Sequence, residues 1–203
     1  MTEGSSRKAL SEVCIRLYDR GLTVSAGGNM SMRLDEDHIL ITPSGRNKGL
    51  IEPGDLVKVT MDGEVVGKGR PSIETGMHLA LYDKNVNINA VIHCHPLHCT
   101  VLAVRSEKMR SDLTPEGVLL LRDVPLVGYF TPGTQELVNA VAENSSSMAM
   151  LMERHGAITQ GVDLEEAYNR MEELEFQASL QIIAGEVRGL PDEEIERILG
   201  VLK

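Results

Sequence analysis

The chain has 203 residues, 42% of them hydrophobic, which is enough apolar material for one core and predicts a single domain over residues 1–203. A formal charge of -10, no Trp, four Tyr and two Phe argue against a nucleic-acid partner, because phosphate backbones need clustered Lys and Arg and bases need aromatic platforms. No apolar run approaches the roughly 18 residues of a membrane span, and three cysteines without a C-x-x-C pair fit a reducing compartment, so a soluble, cytoplasmic chain with no membrane partner is expected.

Leu10, Val13, Cys14, Leu17 and Tyr18 recur at three- and four-residue spacings and predict an opening helix over 6–20, stopped at Gly21. Residues 22–70 read as mostly β, with short strands in SAGGNMSMRL and HILITPS and a hairpin whose tip is Asp62-Gly63. Helical spacing returns after Pro71, where Ser72 is the expected N-cap and Ile73, Met77 and Leu81 form the stripe. Ala90-Val91-Ile92 is an apolar strand leading into HCHP, Pro96 opens a helix through Val104, and VPLVGYF is a further strand ended at Thr131-Pro132-Gly133.

Leu137, Val138, Val141 and Ala142 share one helical face, and MAMLME and AITQG are strands meeting at Arg154-His155-Gly156. Asp163 and Glu166 cap a long helix with Leu164, Ala167, Met171, Leu174 and Ala178 as its stripe. A last helix from Pro191 is expected to bury Ile195, Ile198, Leu199 and Leu202. Strands between helices without strict βαβ alternation predict an α/β fold, a three-layer αβα arrangement with a largely antiparallel central sheet.

Side chains at i and i+2 of a strand point to one side, so His93 and His95 can aim two imidazoles at one metal while Cys94 faces away. An H-x-H pair also arises by chance. His155, at a tight strand junction before a glycine, supplies a third candidate ligand, and three histidines leave zinc the open position that catalytic sites keep.

The runs GGNMSMR (27–33), TPSG (42–45), RPSIE (70–74), VIHCHPLHCTV (91–101), VPLVGYFTPGT (124–134) and ERHGAI (153–158) together resemble the class II aldolase/adducin family, in order and spacing, from about residue 7 to 184. The resemblance implies one Zn2+ per subunit on His93, His95 and His155, a catalytic carboxylate at Glu74, and substrate phosphate at Gly28, Asn29, Ser44, Gly45 and Ser72. It also implies a homotetramer with interfacial active sites. The implied reaction is cleavage of a phosphorylated ketose, such as L-fuculose 1-phosphate, to dihydroxyacetone phosphate and an aldehyde through a zinc-stabilised enediolate. Small residues in Gly27-Gly28-Asn29 would let backbone N–H groups approach a phosphate, and Ser72 would add a hydroxyl at a helix start.

Other members use the same scaffold as a ribulose-5-phosphate 4-epimerase, which has an aspartate where Glu74 stands, a methylthioribulose-1-phosphate dehydratase, which keeps the glutamate, and a sugar-acid phosphate decarboxylase. The adducin head, an interaction module, lacks the zinc histidines. Fuculose phosphate aldolase places a tyrosine between the H-x-H strand and the VPLVGY strand, and a second near its C-terminus. Residues 96–128 here contain none and Tyr168 is the last, so the group that handles the proton of the departing aldehyde is unassigned. Arg46, Lys48, His78 and His98 receive no role, the first two being read as solvated surface, and Cys94 and Cys99 are read as buried small hydrophobes.

Overall fold

Alternation along the strands sorts their apolar side chains into two sets, and each set meets its own helices. In the computed structural model, which describes residues 2–201, eight strands form one sheet in the order β4-β3-β2-β1-β5-β8-β7-β6. They are β1 (Asn29–Arg33), β2 (His38–Ile41), β3 (Val57–Thr60), β4 (Val65–Val66), β5 (Ala90–Cys94), β6 (Leu126–Val127), β7 (Ala149–Met152) and β8 (Gly156–Gly161). All neighbours pair antiparallel except β6 with β7.

The helices are α1 (Glu3–Asp19), α2 (Thr75–Lys84), α3 (Leu97–Val104), α4 (Pro115–Leu120), α5 (Gln135–Glu143), α6 (Leu164–Ala184) and α7 (Asp192–Gly200). On one face of the sheet Met30, Leu40, Ile92 and Ala157 pack with Leu10 and Leu17 of α1, Leu102 of α3 and Met171 and Leu174 of α6. On the other, Ile39, Val57, Val91, Met150 and Ile158 pack with Met77 and Leu81 of α2 and Leu137 and Val141 of α5. Two cores on either side of a largely antiparallel sheet make the expected αβα layering. Each fully buried Leu or Ile contributes roughly 1.5–3 kcal/mol through the water it gives up.

Residues 22–70 hold less strand than the sequence predicts. Two 3-10 turns, Lys48–Leu50 and Pro53–Asp55, occupy the stretch between β2 and β3, where Gly49, Pro53 and Gly54 break pairing. The Asp62-Gly63 hairpin forms as expected, with Gly63 at φ +89°. The VPLVGYF strand shrinks to two paired residues. α4, to which the spacing assigns nothing, is announced only by its cap, Thr114, and by Pro115 at its first position.

Ser72 is not the N-cap of α2: Glu74 occupies that position, and Ile73 is 59% exposed, outside the stripe. In α6 the Asp163 carboxylate caps the Glu166 N–H as expected, while the Glu166 carboxylate accepts from Val162 N. α7 buries none of its residues, so Ile195, Ile198 and Leu199 are only half-covered, and Leu202 lies outside the described residues. Among the described residues no helix is long and apolar enough to cross a membrane.

Candidate metal centre and its carboxylate

The candidate site sits where β1 begins, β5 ends and β8 begins. Asn29 pairs with His93 and Cys94 with Ala157, so these three strand ends share one edge of the sheet. His93 belongs with Val91 on the α2/α5 face, while Cys94 packs into the opposite core, as the strand period demands. His95 lies just beyond the strand, and His155 stands on the β7–β8 turn, whose preceding residue, Arg154, takes a left-handed φ of +54°. That bend turns the His155 ring back toward β5.

The three rings converge. Centroids are 4.8 Å apart for His93 and His95, 4.7 Å for His93 and His155, and 5.4 Å for His95 and His155. One ligand atom from each lies within 4.8 Å of the others. The His93 Nδ1–H donates to the Ala157 carbonyl at 2.9 Å, which leaves its Nε2 as a bare lone pair facing inward. That Nε2 is 3.1 Å from His95 Nε2, close to the ~3.4 Å separation that tetrahedral zinc at ~2.1 Å from each nitrogen imposes. A cation between the rings satisfies lone pairs that would otherwise oppose one another, so the donor set fits a divalent metal.

Burial keeps the rings neutral, as metal ligands must be. It pushes His93 well below the ordinary histidine range, helped by the nearness of His95 and His155. Burial, with His155 and Lys48 nearby, lowers His95 to about 4. His155 is also lowered by burial, with Glu74 opposing the shift.

Glu74, 8% exposed at the head of α2, places Oε2 3.5 Å from His93 Nε2 and Oε1 3.3 Å from His155 Nε2. Oε2 accepts from Asn29 Nδ2 at 2.7 Å, whereas Oε1 is buried without a hydrogen-bond partner among the described residues. A carboxylate with one oxygen anchored and the other bare beside the metal position is arranged to give or take a proton.

Two glycines make the convergence sterically possible. Gly28 has φ +69°, and a Cβ there would collide with the His93 carbonyl; a Cβ on Gly156 would strike the Cys94 carbonyl and the His95 ring.

The positions predicted to hold phosphate also meet. The Thr42 N–H donates to the Met30 carbonyl at 3.0 Å, Ser72 N to the Thr42 carbonyl at 3.2 Å and Ser44 N to the Arg70 carbonyl at 3.0 Å, so the Gly28-Asn29, Ser44-Gly45 and Ser72 segments lie side by side. Their side chains are partly engaged already. The Asn29 amide bridges Glu74 and His78, and the Ser72 hydroxyl accepts from Glu74 N at 3.2 Å.

Lys48 is not solvated surface: it is 1% exposed, and its ammonium donates to the carbonyls of Ala26 and Arg46 at 2.9 and 3.0 Å, tying the loop before β1 to the turn after β2. Arg46 keeps the expected surface position, paired with Asp55. All three cysteines are buried and free, as expected. Sequence reading also gave His78 no role, although its four-residue spacing from Glu74 sets the two on one face of α2.

Comparison with known proteins assigns the fold to a family. The family described as Class II Aldolase and Adducin N-terminal domain matches residues 8–182. The L-fuculose phosphate aldolase of Methanocaldococcus jannaschii is 35% identical over 177 residues, covering 87% of this chain and 96% of that protein. The 3-oxo-tetronate 4-phosphate decarboxylase of Escherichia coli is 35% identical over 203 residues, covering 97% and 96%. Among solved structures, YgbL from Escherichia coli superposes with a TM-score of 0.92 at 34% identity over 97% of this chain and 98% of that one. An L-fuculose 1-phosphate aldolase gives 0.89 at 32% identity over 97% and 95%. With its fold and nearly its whole length in common with these proteins, the chain belongs to the class II aldolase and adducin family.

Proposed function

We propose that the chain is a zinc-dependent carbon–carbon lyase acting on a phosphorylated keto sugar or keto sugar acid. The observation that carries this reading is the buried carboxylate of Glu74 set against two of three converging imidazoles. His93, His95 and His155 would hold a divalent cation, which when bound would supply positive charge to substrate oxygens that gain negative charge in the reaction. Glu74 Oε1 carries the proton to or from the neighbouring carbon. The backbone around Gly28, Ser44-Gly45 and Ser72 receives the phosphate, which anchors the unreactive end of the substrate.

Two cleavages lead to the same enediolate. Retro-aldol cleavage of a ketose such as L-fuculose 1-phosphate releases an aldehyde, and a base must first take the proton of the hydroxyl that becomes its carbonyl. A four-carbon 3-oxo acid 4-phosphate instead loses carbon dioxide, and the bonding pair left behind forms the enediolate of dihydroxyacetone phosphate without any hydroxyl being deprotonated. The absence of tyrosine between residues 96 and 128 and after Tyr168 favours decarboxylation.

The test uses the shared product. Zinc-loaded protein given dihydroxyacetone phosphate in D2O should exchange one hydrogen of the hydroxymethyl carbon, read by proton NMR, and a chelator should stop it. Absence of exchange in the zinc-loaded protein would overturn the lyase reading. A panel of the 3-oxo acid phosphate, fuculose 1-phosphate, ribulose 5-phosphate and methylthioribulose 1-phosphate then separates decarboxylation from aldol cleavage, epimerisation and dehydration. Removing the Ser44 or Ser72 hydroxyl should raise KM for the phosphorylated substrate with kcat nearly unchanged, as expected for contacts equal in ground and transition states. A fall confined to kcat would contradict the phosphate assignment.

The homotetramer with interfacial active sites belongs to the same proposal. Ile73, Leu97 and Tyr129 are 59, 66 and 53% exposed. Ile73 adjoins Glu74, Leu97 follows His95 by two residues, and Tyr129 donates its N–H to Glu153, two residues before His155. Apolar surface crowded around a polar site is what a neighbouring subunit covers.

A further inference from the structure

A buried chain of hydrogen bonds runs from Glu74 away from the metal position. Asn29 Nδ2 donates to Glu74 Oε2 at 2.7 Å. Asn29 Oδ1 lies 2.5 Å from His78 Nε2, His78 Nδ1 lies 2.7 Å from Ser31 Oγ, and Ser31 Oγ lies 2.8 Å from the Tyr82 hydroxyl. Asn29, Ser31, His78 and Tyr82 are all buried, His78 and Ser31 completely.

The donors and acceptors allow one direction along this chain. An amide carbonyl only accepts, so His78 Nε2 must carry the proton that meets Asn29 Oδ1. Burial pushes His78 down to about 3, so the ring is neutral and holds a single N–H. Its Nδ1 is therefore the acceptor for the Ser31 hydroxyl, and Ser31 in turn accepts from Tyr82. Each group donates toward Glu74, and the line ends on Oε2. Rotating the Asn29 amide by half a turn would break two of these contacts at once, among groups that are all buried.

We propose that His78 is a positioning residue: through Asn29 it fixes which oxygen of Glu74 is anchored and which is left bare beside the metal, for the proton transfer. This rests on the lyase reading for its kinetic consequence but not for its geometry. The face of α2 that carries Glu74 thus supplies both the carboxylate and, one turn on, the group that orients it.

The critical pair of variants is His78→Gln and His78→Asn. A glutamine amide N–H reaches the place of the ring Nε2, toward Asn29; an asparagine reaches only that of Nδ1, toward Ser31. Exchange of dihydroxyacetone phosphate in D2O should fall about 10-fold or more in kcat for His78→Asn, as for other groups that orient a reacting one, while His78→Gln stays within about 3-fold of the parent. KM and zinc content should be unchanged in both. Equal rates in the two variants, or loss of zinc from His78→Asn, would overturn the proposal. A readout that needs no turnover accompanies them: in long-range proton–nitrogen-15 NMR of the parent, His78 should appear as the neutral ring protonated at Nε2. A ring protonated at Nδ1 overturns the assignment whatever the enzyme does. Absence of exchange in the parent, with the Nε2–H ring present, removes the lyase reading and leaves the orienting chain standing.

Discussion

Replacing His155 or His93 by alanine should abolish stoichiometric zinc binding and lower turnover at least about 1,000-fold, the scale of the several kcal/mol that a Lewis acid supplies to developing negative charge. The two losses have the same cause and different contexts. His93 is fully buried with Nδ1 locked on the Ala157 carbonyl, so its removal also leaves that carbonyl without its donor. His155 rides on a turn, and its ring Nδ1 has no hydrogen-bond partner among the described residues, so His155→Ala should fold with nearly parental stability. Metal analysis after dialysis, beside thermal unfolding, separates the two contributions. Retention of one zinc per chain by His155→Ala would remove it from the ligand set.

Glu74→Gln is the second large effect, and it should look different. The amide is nearly isosteric, so zinc content should stay at one per chain, but the group can no longer carry a proton and turnover should fall at least about 100-fold, a typical general acid–base contribution. Asn29 would face an amide in place of a carboxylate, a weaker acceptor. Because Glu74 also contacts two of the candidate ligands, a variant that lost zinc would be uninformative by rate alone. Rate and metal content are therefore measured on the same preparation, and a parental rate with full zinc would exclude Glu74 as the proton carrier.

The candidate metal centre was legible in the sequence partly through local rules and partly through the family resemblance. His93 and His95 share a face at the end of an apolar strand, whereas His155, at a tight junction before a glycine, is singled out as a ligand only by the resemblance. Glu74 was legible only through the family resemblance, since a glutamate at a helix start has an ordinary reason to be there. The partners of Glu74 were not, because Asn29 and His78 are brought together from β1 and α2 by sheet and helix packing that no local spacing encodes. Lys48 was read as surface for the same reason: lysine rarely lies buried, and here two carbonyls from the Ala26 loop and the Arg46 turn hold it inside. At the C-terminus the periodicity of α7 was correct, but amphipathic spacing predicts a buried face only where something covers it, and no described residue of this chain covers it fully.

The most direct measurement is X-ray absorption at the zinc edge of the zinc-loaded protein, in the parent and in His155→Ala. The geometry of the three rings expects three imidazole nitrogens at about 2.0–2.1 Å in the parent, with no stoichiometric zinc left to measure in the variant. A parental shell containing fewer than three imidazoles, or one unchanged by the substitution, would contradict the convergence of His93, His95 and His155 on a single ion.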